Sequence, residues 1–101
     1  MSQIEPPRVS LQDTVKISSD VVFRNLDGEA VLLNLQSGIY FGLNETGTKI
    51  WGILSENESL ERVYSLILQE YAVEPDLAKR DLLELTAQLV EKGLVTVSPV
   101  K

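Results

Sequence analysis

At 101 residues the chain has room for one domain with one core, and its 44% hydrophobic and 24% charged residues are those of an ordinary globular protein. A net charge of −6, with nine Lys and Arg in all, speaks against nucleic acid, which requires clustered cations for its phosphates. Cysteine and histidine are both absent, which removes disulfides, thiolate nucleophiles, Fe–S clusters, conventional zinc sites and imidazole acid–base chemistry together.

Residues 1–14 are polar, contain Pro6-Pro7 and lack periodicity. They are expected to be an unstructured arm, followed by a short extended piece at Val15–Ile17. No basic segment leads into an apolar run, as a secretory signal requires, and no apolar stretch approaches the roughly 20 residues that span a bilayer. The expectation is a cytoplasmic protein without a membrane partner, its single domain covering residues 15–97.

Val21 to Leu26 is rich in strand formers and is followed by Asp27-Gly28, the pair favoured where both central positions of a type I′ hairpin turn need positive φ. Glu29 to Leu35 then alternates, with Val31, Leu33 and Leu35 on one face and Ala30, Leu32 and Asn34 on the other. Gln36-Ser37-Gly38 makes a second turn into Ile39-Tyr40-Phe41-Gly42-Leu43. Three strands joined by tight turns form an antiparallel meander. The last of them carries no charge and no proline, so it is a bare edge of the kind that proteins usually blunt. Another chain can add a strand there, or the protein's own tail or a dimer mate can cover it; both readings stay open.

From Asn44, a favoured N-cap, the period changes from two to about 3.6. Thr46, Ile50, Ile53 and Leu54 share one helical face with Trp51 beside them, a core residue by this reading. Gly47 costs helix propensity, which close packing of the first turn against the sheet would explain. Ser59 caps a second helix with the pattern Leu60, Val63, Tyr64, Ile67, Leu68, Tyr71. Pro75 opens a third at N1, which stops at Gly93. Leu94 to Val97 is a closing extended tail. The fold class is therefore α+β, a winged helix-turn-helix-like domain with a three-stranded antiparallel meander followed by three helices. Leu33, Ile50, Ile53, Leu54, Val63, Ile67, Leu82, Leu85 and Leu89 are its expected buried residues.

Catalysis finds little support. Asp76, Asp81, Glu84 and Glu91 are interleaved with Lys79, Arg80 and Lys92, the pattern of a solvated, salt-bridged helix face. Gly38, Gly42 and Gly47 form no phosphate-binding fingerprint. No enzyme activity, metal or cofactor is expected. A winged-helix DNA-binding regulator is the alternative, weakened by a third helix whose surface is net acidic. That helix carries a wide apolar arc: Ala78, Leu82, Leu85 and Leu89 point one way, Leu83, Ala87, Val90 and Leu94 another. Either both stripes are buried between the other helices and the sheet, or the second stripe walls an apolar groove opposite the edge strand.

The run Asp27-Gly28-Glu29-Ala30-Val31-Leu32-Leu33-Asn34-Leu35, then Ser37 to Gly47, then Ile50-Trp51, resembles the PqqD-like family, named for the pyrroloquinoline quinone synthesis protein D. Tyr71, Asp81, Leu85, Leu89 and Gly93-Leu94 fall where the family's closing helices carry such residues, and the resemblance covers about residues 15–97. It implies a non-catalytic recognition element for ribosomally made, post-translationally modified peptides. Such an element holds the leader of a precursor peptide and delivers it to a modifying enzyme: a radical S-adenosylmethionine enzyme, a protease or a cyclase. It also implies that the leader adds as a strand to the third strand and lies against the third helix. Ile39, Tyr40, Phe41, Gly42 and Leu43 would then supply main-chain pairing and flanking side chains. Leu83, Ala87, Val90 and Leu94 would form the groove floor, and Lys79 and Arg80 would meet acidic leader residues at its rim. The stretch around the third strand and first helix departs from the namesake branch, so the product is open between a quinone cofactor, a lasso peptide and others.

Overall fold

The computed structural model describes residues 9–98. In chain order the elements are β1 (Thr14–Ile17), β2 (Val21–Leu26), β3 (Glu29–Asn34), β4 (Tyr40–Gly42), α1 (Glu45–Leu54), α2 (Leu60–Glu70), α3 (Pro75–Glu91) and β5 (Val95–Ser98). The meander expected from the alternation is present as one antiparallel sheet of order β2-β3-β4. A second, two-stranded sheet pairs β1 with β5. It turns the expected extended piece and the closing tail into partners.

Local chemistry explains most boundaries. Asp27 and Gly28 both have positive φ, 63° and 90°, and the Gly28 N–H donates to Asn25 Oδ1, closing the β2–β3 hairpin as its residues dictate. The side-chain oxygens of Asn44 and Ser59 accept from the N–H groups of Gly47 and Arg62, capping α1 and α2. Pro75 opens α3, and Gly93, at φ 73°, ends it. The Gly93 N–H donates to the Val90 carbonyl and the Leu94 N–H to the Leu89 carbonyl, the paired bonds of a Schellman stop.

The core gathers between the β2-β3-β4 sheet and the helices. Of the expected core residues, Ile50, Ile53, Leu54, Val63, Ile67, Leu82, Leu85 and Leu89 are buried, as is Trp51. Leu33 is not. The buried face of β3 is the one bearing Ala30, Leu32 and Asn34, and Leu33 is half-buried on the other side. Both faces of this strand are apolar, so alternation alone does not choose between them. The choice is made by α1, which packs against the Ala30 side and accepts the Ala30 N–H on Thr48 Oγ1 at 2.8 Å.

Two further expectations change. Residues 9–13 are not an open arm: Val9 and Leu11 rest against the core, and the Asp13 N–H donates to the Ser10 carbonyl while Asp13 Oδ2 accepts from the Ser10 N–H. Leu11 and Val9 give that segment apolar surface to bury, which its polar average conceals. The remainder of the expected arm, residues 1–8, lies outside the described residues. Gly47 is explained by its own cap and the preceding Leu43 more than by the sheet. A Cβ at this position would stand 3.3 Å from Asn44 Oδ1, tighter than ordinary contact, and would touch Leu43 Cδ2 at 3.4 Å.

The orientation of the sheet has a direct test. Leu32→Ala should cost about 2–5 kcal/mol in urea unfolding, because its side chain is fully enclosed, whereas Leu33→Ala should cost about 1 kcal/mol or less. A larger loss for Leu33→Ala than for Leu32→Ala would place the opposite face of β3 inward.

Candidate functional site

Strand β4 is the outer member of its sheet, paired with β3 on one side, and among the described residues no strand pairs with its other side. The register sets Tyr40 opposite Leu33, Phe41 opposite Leu32 and Gly42 opposite Val31. At the ends of the pairing, the Ile39 carbonyl accepts from the Asn34 N–H at 2.9 Å and the Leu43 N–H donates to the Ala30 carbonyl at 2.8 Å. Successive residues of a strand point their backbone groups to opposite edges. Ile39, Phe41 and Leu43 therefore face β3, and the N–H and C=O groups of Tyr40 and Gly42 face the open side. The side chains alternate across the other axis: Phe41 shares the inward face with Leu32, while Tyr40, 72% exposed, shares the outer face with Leu33 and Val22.

Three side chains hold this edge in place. Asn34, buried at the end of β3, donates from Nδ2 to the Gly93 carbonyl at 3.0 Å and accepts on Oδ1 from the N–H groups of Gln36 and Ser37. The turn leading into β4 is thereby tied to the C-terminal end of α3. Thr48 of α1 accepts the Ala30 N–H, satisfying a β3 donor on the β4 side. Asn44 caps α1 immediately after Leu43, which is itself buried, so the strand passes into the helix with its direction set.

Between β4 and α3 lies a cleft of about 250 Å³, lined by Phe41, Gly42 and Leu43 from the strand, Asn44, Gly47 and Ile50 from the junction and α1, and Asp81, Glu84, Leu85 and Gln88 from α3. The expected binding residues divide accordingly. Phe41, Gly42 and Leu43 are brought together on the cleft. Ile39 and Tyr40 are exposed on the same edge, outside the cleft lining. Lys79 and Arg80 are exposed and also stand off it.

The four residues expected as a groove floor are not on this cleft. Leu83 and Val90 are half-buried and pack against the core, Ala87 is half-buried, and Leu94 is 0% exposed. None of these four lines the cleft. At about 100° per residue, Leu83, Ala87 and Val90 flank the buried Leu82/Leu85/Leu89 stripe on one side, and Asp81, Glu84 and Gln88 flank it on the other. The apolar flank turns into the protein, where it gains from burial; the polar flank borders the opening. The signal for this stripe was the spacing 81, 84, 85, 88, obscured because carboxylates among Lys and Arg look like any solvated helix face.

A family model and two solved structures resemble this chain. The family model Coenzyme PQQ synthesis protein D (PqqD) matches residues 29–95. The chain belongs to the PqqD family. Among solved structures, TbiB1 in complex with the TbiA(beta) leader peptide is 41% identical to it, with a TM-score of 0.71, over 79% of this chain and 93% of that one. A lasso peptide synthetase B1 complexed with the leader peptide is 30% identical, with a TM-score of 0.70, over 82% of this chain and 98% of the other. No curated protein matches the chain.

If Asn34 anchors the edge, Asn34→Ala should cost about 1–3 kcal/mol, because the Gln36 and Ser37 N–H groups lose their acceptor and the Gly93 carbonyl a donor. Amide exchange should accelerate at Gln36 and Ser37 ahead of the helices. Wild-type stability with unchanged exchange would show that the edge is held by its ladder alone.

Proposed function

We propose that this chain is a leader-peptide-binding adaptor for a ribosomally made, post-translationally modified peptide, and that the leader is held by strand addition to β4. The observation that carries the reading is the β4 edge, which no strand among the described residues pairs, beside a cleft, on a chain 41% and 30% identical to proteins solved with leader peptides bound. The Tyr40 and Gly42 backbone groups pair with the leader, and its inward side chains enter the cleft over Phe41, Ile50 and Leu85. Strand addition draws affinity from the main chain and specificity from alternate side chains, which is the division of labour this geometry offers.

In this reading the adaptor performs no chemistry and presents the bound precursor to a separate modifying enzyme in the cytoplasm. The lasso peptide synthetase B1 neighbour favours a lasso-type product over a quinone cofactor, with a protease or cyclase as the enzyme served. Nucleic acid is a poor partner for the exposed flank of α3, whose cleft-side residues Asp81 and Glu84 would repel phosphates. Among the described residues, no helix is long and apolar enough to cross a membrane.

Two proline variants test the mechanism. Tyr40→Pro removes a donor from the open side, so it should leave the melting temperature nearly unchanged and weaken leader binding about tenfold or more. Phe41→Pro removes a donor to β3 and should cost more than about 2 kcal/mol of stability. The readout is fluorescence anisotropy with the TbiA(beta) leader as the labelled probe. Undiminished binding by a folded Tyr40→Pro protein would rule out strand addition at this edge.

A further inference from the structure

The cleft beside β4 has a charge asymmetry that the leader-binding reading does not by itself require. Its floor is apolar, formed by Phe41, Ile50 and Leu85, and its two ionisable lining residues, Asp81 and Glu84, are both acidic. The nearest cation in sequence, Arg80, reaches Asp81 only at 3.7 Å from Nε to Oδ1, with side-chain exposures of 65% and 37%. That distance is beyond a good hydrogen bond, and an exposed pair of this kind holds its partners weakly. Among the described residues Glu84 makes no salt bridge and Asp81 has only this weak one, which leaves both carboxylates open to a ligand. Lys49, on α1, sits 5.3 Å over the Tyr71 ring, and neither residue lines the cleft.

Resting on the leader-binding reading above, we propose that the cleft selects its peptide by charge. The segment that adds to β4 presents a lysine or arginine to Asp81 and Glu84, two positions from an apolar residue that covers Phe41, Ile50 and Leu85. The spacing follows from strand and helix geometry. Side chains on one face of an added strand recur about every 7 Å, and Asp81 to Gln88 extends roughly 10 Å along the helix axis. One apolar and one cationic side chain on the same face fit that length. A leader with Asp or Glu at the same position would set a third carboxylate against two, so the pair rejects as well as selects. The net charge of −6 adds a long-range attraction for cationic peptides.

Selection from a displayed library of random peptides on the immobilised full-length chain tests this whatever the sequence of the natural leader. Only peptides that fail to bind the Tyr40→Pro variant are retained, since those depend on the edge. The expected result is enrichment of Lys or Arg two residues from an apolar position. The Asp81→Lys/Glu84→Lys double variant should instead enrich Asp or Glu. With the best basic peptide, Asp81→Asn/Glu84→Gln should weaken binding about fivefold. Wild-type affinity should fall as salt is raised from about 50 to about 500 mM. The neutral pair also serves if the charge-reversed chain fails to fold, because its selected peptides should lose the basic preference. Edge-dependent peptides with no basic residue in common, or a basic preference that survives neutralisation, would overturn the charge selection and leave strand addition standing. No edge-dependent peptides at all would overturn both.

Discussion

The carbonyl of Gly93 is the point on which the arrangement of the site depends. It accepts from Asn34 Nδ2 at 3.0 Å and from Ser18 Oγ at 3.2 Å, so it joins the end of α3 to the meander and to the β1–β2 link. The carbonyl is available there because Gly93 takes a positive φ, which turns the chain out of the helix after the Schellman bonds have closed it. Asn34 is buried and its amide is bonded at both ends, so its position carries the cost of an unmet polar group if either partner moves. The distance between β4 and α3, and with it the width of the cleft, is set through that amide.

An open strand edge is a hazard as well as a binding device. Here the exposed strand is only three residues long, its turn is pinned by Asn34, and Leu43 at its far end is buried under the start of α1. A short, rigidly held edge offers few backbone groups to a chance partner and loses little entropy when the right one pairs. Asp81 and Glu84 of α3 stand beside it, on the lining of the same cleft.

The helix that borders the cleft also helps build the core. Leu82 and Leu89 are fully enclosed, Leu85 is buried at the base of the cleft, and Thr86 resolves its own burial by donating from Oγ1 to the Leu82 carbonyl at 2.8 Å. Changes along α3 therefore divide sharply: those at 82, 86 and 89 act on folding, and those at 81, 84 and 88 act on the opening. The core stripe and the cleft lining are thus adjacent stripes of one helix.

What the sequence determined by itself was local. Asp27-Gly28 specified its hairpin, Asn44 and Ser59 their helix starts, Pro75 and Gly93 the limits of α3, and the resemblance around Ile39 to Gly47 pointed to the edge strand. Each of these depends on backbone geometry within a few residues, which residue type controls directly. Tertiary structure alone decided the rest. It chose the Leu32 face of β3 over the Leu33 face, since both are apolar and only the position of α1 distinguishes them. It paired Thr14 with Ser98, strands too far apart for any local period to register. It also turned the Leu83/Ala87/Val90 flank of α3 inward and the Asp81/Glu84/Gln88 flank toward β4. A helix carries the same side chains whichever way it is rotated; the rotation is fixed by what α2 and β5 leave for it to bury.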